Sequence, residues 1–404
     1  MHKYLWWQRL LRFFLWSHVI GVIGFYLGLW LRTLPSKEDR VKPLDPDTSP
    51  GAVPIARVSI ILPARDEELN IRRCVESLLE QDYDNYEVIV VDDCSTDATA
   101  SILADIGARH PHRQRLKVLH LHELPPGWAG KPHAIHSGTQ EASGDWLLFT
   151  DADTWHAPVA LRSALAHAQA EQLDLFSMSA AQELPLFWDK TLIPVALMGI
   201  SMLYPPRQVN DPTSPVAIAG GQYILIKHEV YDTLGGYARP EMRATLLDDR
   251  DLAYLVKHQG FRLRFVDGGG LVTVRMYRNF DEIWRGWRKN AYLGNRGGLL
   301  FVLLQLIGLP MITIVPFLLP LLGRRKWGIR PREAATATAL ELAILFPYRI
   351  WLNRQTGAPW YYALTHWLGG AIFTGILGQS TWRILTRTGV DWRGREYHND
   401  NGQK

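Results

Sequence analysis

The sequence predicts an α/β protein: a mostly parallel sheet with crossover helices, flanked at both ends by helices apolar enough for a membrane. Three observations carry this. From Arg57 onward short apolar runs alternate with helical patterns. Acidic clusters fall just after those runs. Long apolar stretches lie near the start of the chain and along its last third.

Taken in order, Phe13 to Leu34 is apolar apart from Ser17, His18, Arg32 and Thr33, and lacks a small-residue cleavage site. An uncleaved anchor over 1–34 is therefore expected. Residues 35–56 are rich in Pro and charge and read as a linker. Val58–Leu62 is a short buried strand, followed by a helix over Glu68 to Glu80 with apolar positions Leu69, Ile71, Val75, Leu78 and Leu79. Glu87–Val91, Leu116–Leu121 and Trp146–Phe149 are further strands. Thr96–Ile106 and Lys131–Ala142 are the helices between them. This spacing gives a sheet domain over 57–277, in which ligands bind outside the carboxyl ends of the strands. Residues 278–298 read as an amphipathic interfacial helix, from Phe280, Ile283, Trp284, Trp287 and Ala291 at helical spacing. A helix packed on the core shows the same stripe. Residues 299–385 are assigned to C-terminal membrane helices and 386–404 to a polar tail.

Composition narrows the function. The 404 residues allow one large domain with additions, or two domains. At 47% hydrophobic and 21% charged, a core is attainable. A net charge of +4 does not argue for nucleic acid. Two cysteines, Cys74 and Cys94, have no metal-ligand spacing and make no disulfide framework, which fits a reducing compartment.

Four acidic sites follow strand ends or open a helix. They are Asp66-Glu67-Glu68, Asp92-Asp93 with Asp97, Asp151-Ala152-Asp153, and Asp248-Asp249 with Asp251. Each alone reads as a helix cap, and Asp97 and Asp248 fit that role well. Asp151 and Asp153, at the tip of a buried strand, are a compact pair for a hard divalent ion such as Mg2+ or Mn2+.

The stretches VSIILPARDEELNI, VIVVDDCSTDAT, LLFTDADT and LLDDRDLAYLVKHQGFRL resemble the successive motifs of family 2 glycosyltransferases with the Rossmann-like GT-A fold. The resemblance covers roughly Arg57 to Arg296. It implies an inverting transferase that uses a nucleotide-activated sugar, a UDP-hexose, and a divalent metal. By the same resemblance Pro63, Arg65 and Glu67 line the nucleoside pocket, and Asp93, with Asp92, reads base or ribose. Asp151 faces ribose and metal, Asp153 binds the metal, and Lys131 lies near the phosphates or is a surface lysine. Asp249 is the general base. Gly221 gives the acceptor a close approach to the backbone, or simply marks a tight turn. Asp248 stands where the family often has Glu and, with Trp287, lies on the acceptor side. Arg288 keeps the spacing of a diphosphate-clamping arginine. Lys289 replaces the tryptophan of processive members, which argues against a polymer synthase.

The layout as a whole resembles carotenoid- and hopanoid-associated bacterial glycosyltransferases, chlorobactene glucosyltransferase among them. That implies a non-processive enzyme of the inner membrane, multi-pass, with its sheet domain cytoplasmic and a lipid or isoprenoid acceptor. Transfer in exopolysaccharide or glycan-lipid assembly remains open, as does a non-catalytic nucleotide-sugar-binding membrane protein. Arg324, Arg325 and Lys326 follow the run Leu299–Leu322, and Pro310, Pro316 and Pro320 within it fit either a span or a re-entrant hairpin.

Overall fold

The computed structural model describes residues 2–33, 40–41, 56–295, 297–323, 328–386, 388, 390–392 and 395–397. Most of the expected linker and tail, and the basic residues Arg324, Arg325 and Lys326, lie outside the described residues. The chain divides into a sheet unit (35–183 and 206–276) and a helical unit (1–34, 184–205 and 277–404).

The strands of the sheet unit are β1 (Val58–Ala64), β2 (Tyr86–Asp93), β3 (Leu116–Leu121), β4 (Trp146–Phe149), β5 (Thr154–His156), β6 (Leu175–Ser179), β7 (Ala181–Gln182), β8 (Ile224–Lys227), β9 (Leu263–Asp267) and β10 (Val272–Val274). In chain order the helices of both units are α1 (His2–Thr33), α2 (Ile71–Leu79), α3 (Thr99–Arg109), α4 (Gly130–Thr139), α5 (Ala160–Ala170), α6 (Phe187–Leu203), α7 (Pro206–Asn210), α8 (His228–Thr233), α9 (Pro240–Arg243), α10 (Asp248–His258), α11 (Phe280–Leu293), α12 (Gly298–Thr313), α13 (Val315–Leu318), α14 (Pro331–Thr356) and α15 (His366–Leu385).

The main sheet has seven strands in the order β3-β2-β1-β4-β8-β6-β9. β8 runs antiparallel to β4 and β6, and every other pair is parallel. The expected mostly parallel sheet is therefore present. Alternating side chains fill opposite faces, as the period of a strand requires. Ile60, Leu62, Val88 and Val90 join α2, α3 and α5 in one core, while Ile89 and Val91 meet Ala134 of α4 on the other side. A Cβ at Gly138 would lie 2.6 Å from Ile61 Cγ2, so only glycine lets α4 settle this close to the sheet. Pro63 is tolerated because Ile61 turns its carbonyl toward β4. Pro63, two residues on, therefore faces the same side, past the last paired residue of β4.

Two helices start later than their periodicity predicts, α2 at Ile71 and α3 at Thr99. The loops before them are sewn together instead. Asp66 N–H donates to Ser95 Oγ (3.0 Å), Thr96 N–H to Asp66 Oδ1 (2.7 Å), and Glu68 N–H to Asp97 Oδ2 (3.0 Å). Short polar side chains compete with the helix for backbone groups, and here they win. Of the expected linker, Val41 is buried and its N–H donates to Asp267 O (3.1 Å), so that point is docked on the sheet unit.

In the helical unit, α1 from Trp6 to Thr33 is the one straight helix among the described residues that is long and apolar enough to cross a membrane. α12 and the segment Val315–Leu322 pass only together and bend by 44° at the break, near Pro310 and Pro316. α14 and α15 do not reach that standard. α14 carries the fully buried Glu341 and Arg349. The stripe over 278–298 falls on α11. Ile283 and Trp287 are buried, Trp287 packs on Phe373 of α15, and Trp284 Nε1 donates to Gln379 Oε1 (2.6 Å). The helix needed a partner for its apolar face and found it in α15.

Arg349 has a specific task. Pro194 lies inside α6 and cannot donate to the carbonyl of Lys190. Arg349 Nη2 donates there instead (2.9 Å), and to Thr191 O (3.1 Å). In a Pro194→Ala background the amide at 194 supplies that bond. Arg349→Leu is then expected to be less destabilising than in wild type by about 1 kcal/mol, the net worth of one hydrogen bond. Thermal unfolding of the four proteins in detergent measures the difference.

Candidate active site

Two groups of polar side chains gather at the carboxyl ends of the parallel strands. The first lies beyond β1 and β2. Arg65 Nη1 donates to Asp93 O (2.9 Å), and Glu67 Oε2 accepts from Asn70 Nδ2 (2.8 Å). Asp92 and Asp93 are both buried. Asp92 accepts from Ser95 N–H (3.1 Å) through one oxygen and meets His120 Nδ1 (2.9 Å) through the other. Its carboxylate thus braces its own loop and β3. Asp66 and Cys94 hold positive φ, 51° and 57°, at the two strand exits, a conformation that few side chains adopt without support. Asp97 accepts from Glu68 N–H and Thr99 N–H and so ties two loops together; the N-cap position of α3 is Ala98.

The second group lies beyond β4 and at the start of α10. Lys131, in the first turn of α4, places Nζ 2.7 Å from Asp151 Oδ1 and 3.0 Å from Asp248 Oδ2. Asp249 Oδ2 accepts from Gly221 N–H (3.2 Å), and its Oδ1 from Arg250 N–H (2.7 Å). A Cβ at Gly221 would stand 3.2 Å from Asp151 Oδ2, 3.3 Å from Asp249 Oδ2 and 3.4 Å from Lys131 Nζ. Three charged groups from three separate stretches of chain therefore converge on one glycine. Asp248 is not the simple cap that its position suggests; it is a partner of Lys131.

The scaffold explains the convergence. Thr150 Oγ1 donates to Gln222 O (2.7 Å), tying the exit of β4 to the turn that holds Gly221. Ala129 N–H donates to Arg243 O (2.7 Å), tying the start of α4 to the segment before α10. Tyr237 OH donates to Asp248 O (3.2 Å). Beneath Asp151, the Cys74 thiol donates to Asp151 O (3.6 Å). Burial pushes that thiol up to about 12, helped by the charges of Asp153, Glu67 and Asp151.

The electrostatics separate the members. Burial opposes the charge on Lys131, but Asp151, Asp248 and Asp249 outweigh it and hold the ammonium protonated well beyond the usual lysine range. Asp249 moves the other way: burial, then the charge of Asp248, push its carboxyl up to about 6. Trp287 and Arg288 belong to α11 of the helical unit, where Arg288 Nη1 lies 3.4 Å from Gln379 Oε1. Sequence reasoning missed His120 and the sewing of the first two loops. Their partners sit about a helix-and-strand away in the chain, and no local pattern marks them.

Residues 59–235 match the family model described as Glycosyl transferase family 2. The chain is a glycosyltransferase with a family 2 domain. The match stops short of Asp248 and Asp249. This glycosyltransferase is 26% identical over 351 residues to the 4,4'-diaponeurosporenoate glycosyltransferase of Staphylococcus aureus (strain USA300), covering 84% of this chain and 88% of the relative. Its fold is similar to that of the mannosyltransferase PcManGT from Pyrobaculum calidifontis, solved with GDP-Man and Mn2+, with a TM-score of 0.55 and 20% identity. That alignment covers 88% of this chain and 99% of the other. The fold class is the GT-A arrangement expected from the motifs.

The Asp249 shift has a signed consequence. A carboxyl whose folded pKa stands above its ordinary value contributes stability that is complete below about pH 4 and lost as pH rises through about 6. In the glycosyltransferase held in chelator, Asp249→Asn should therefore raise stability at pH 7.5 by about 1–3 kcal/mol, and by nothing at pH 4. Thermal melts of both proteins across that range decide it.

Proposed function

We propose that this enzyme is an inverting, non-processive, membrane-associated transferase. It would move one sugar from a nucleoside diphosphate donor to a hydroxyl of a lipid or isoprenoid acceptor. The observation that carries this reading is the convergence of Asp151, Lys131 and Asp249 on Gly221.

The donor side is assigned to the strand ends. Pro63, Arg65, Glu67 and Asp93 take the nucleoside, with Asp92 bracing their loop. Asp151 and Asp153 offer hard carboxylate oxygens, a donor set that suits Mg2+ or Mn2+. Among the described residues no three His, Cys, Asp or Glu side chains are gathered to hold an ion unaided. The two aspartates would therefore share it with phosphate oxygens of the donor. When bound, such an ion neutralises charge on the departing diphosphate.

The acceptor side is assigned to Gly221, Asp248 and Asp249. Asp249 accepts the proton of the acceptor hydroxyl, and the oxygen attacks the anomeric carbon on the face opposite the diphosphate, so the configuration inverts. A carboxyl raised to about 6 is a stronger base than an ordinary aspartate and is still largely ionised at neutral pH. Gly221 matters because any side chain there would stand among the reacting groups.

The lipid acceptor is supported from two directions. The Staphylococcus aureus relative is named for a carotenoid-type acceptor, 4,4'-diaponeurosporenoate. The helical unit exposes Trp6, Trp7, Phe13, Phe14, Ile20 and Leu31 on α1, and Leu300, Leu304 and Ile307 on α12. Apolar patches of that extent mark a membrane or partner surface.

Asp249→Asn is expected to lower the turnover number about 10²–10⁴-fold while nucleoside diphosphate affinity stays within about twofold. An Asn variant with most of its turnover would remove Asp249 from the base role. Gly221→Ala should cut transfer at least about tenfold with little change in melting temperature, since the added methyl meets mobile polar ends rather than backbone. Lipid extracts from cells with and without the gene, compared by mass spectrometry, should differ by a hexosylated species. A soluble oligosaccharide product instead would overturn the acceptor assignment.

A further inference from the structure

Lys131 does two things that a phosphate-binding lysine need not do. It holds Asp151, on the loop after β4, and Asp248, at the start of α10, through the same ammonium (2.7 and 3.0 Å). It also stands beside the point where Asp249 and Asp151 meet at Gly221. We infer that Lys131 is the resident counter-ion of this cleft, an internal cation that competes with the divalent ion of the donor complex for Asp151.

The inference rests on the reading of Asp151 as an ion ligand and adds a cost to ion binding. One lone-pair site of Asp151 Oδ1 already serves an ammonium at 2.7 Å, which leaves that oxygen a poorer ligand for a metal. Two cations within a few ångströms of each other also repel by several kcal/mol even at a protein-like dielectric. Without the ammonium, the carboxylates of Asp151, Asp248 and Asp249 would face one another uncompensated. The lysine therefore stabilises the cleft and weakens it for bare metal. Arrival of the ion together with a diphosphate changes the balance. Lys131 would then share its donors between Asp248 and the phosphate oxygens. That exchange would favour loading of the complex over loading of metal alone.

The test uses the full chain in detergent, stripped with chelator, and Mn2+ alone as the probe, read by the electron paramagnetic resonance of free Mn2+. Lys131→Met should bind Mn2+ at least about tenfold more tightly than wild type, and its melting temperature in chelator should fall. Lys131→Arg, which keeps the charge, should bind Mn2+ as weakly as wild type. Lys131→Gln replaces the Met variant should that protein not fold, and the same tightening is expected of it. Asp151→Asn separates the two layers of the argument. If that variant loses Mn2+ but the neutral Lys131 variants bind no more tightly than wild type, the counter-ion role is wrong and the ion reading stands. If Asp151→Asn binds Mn2+ as wild type does, both are wrong.

Discussion

One ammonium organises the polar cleft. Lys131 is raised into its charged form by three aspartates and in turn allows two of them, Asp151 and Asp248, to sit within hydrogen-bond distance of the same point. Buried like charges do not tolerate such closeness unless a cation lies between them. Asp249 lies at the margin of this arrangement and keeps the penalty, as a carboxyl that holds its proton up to about pH 6. The electrostatic cost of the cleft is thus concentrated on the group for which a raised pKa has chemical use.

The fold delivers these groups by simple means. Parallel strands end on one edge, so side chains following β1, β2 and β4 share a rim. α4 approaches the sheet closely because Gly138 has no side chain, and its first turn brings Lys131. α10 opens with three acids in its first turn, where unsatisfied N–H groups favour negative charge. The antiparallel β8 inserts between β4 and β6, and the turn before it carries Gly221 to the same rim.

Much of this was legible in the sequence, and the rest failed for identifiable reasons. The runs Trp146–Phe149 and Leu116–Leu121 match β4 and β3 to the residue; the first is a short apolar run buried throughout, the second an edge strand whose leucines and valine are half-buried. The starts of α2 and α3 were misread because Asp66, Ser95 and Asp97 bond across two loops rather than within one. Asp248 looked like a helix cap because nothing near it in the chain announces Lys131. The stripe around Trp287 has the same spacing whether it meets lipid or α15, and periodicity cannot choose between them. The buried Arg349 was missed because its partner is a carbonyl orphaned by a proline on another helix. Local pattern, in short, specified elements and charges; pairing between distant stretches decided which acids share a cation.

The account is tested most directly by a structure of the full chain with Mn2+ and a nucleoside diphosphate. It predicts an ion ligated by Asp151 and Asp153, with Lys131 moved onto a phosphate oxygen and the Asp249 carboxylate still beside Gly221. An ion bound away from Asp151, or a diphosphate lying far from Gly221, would contradict it.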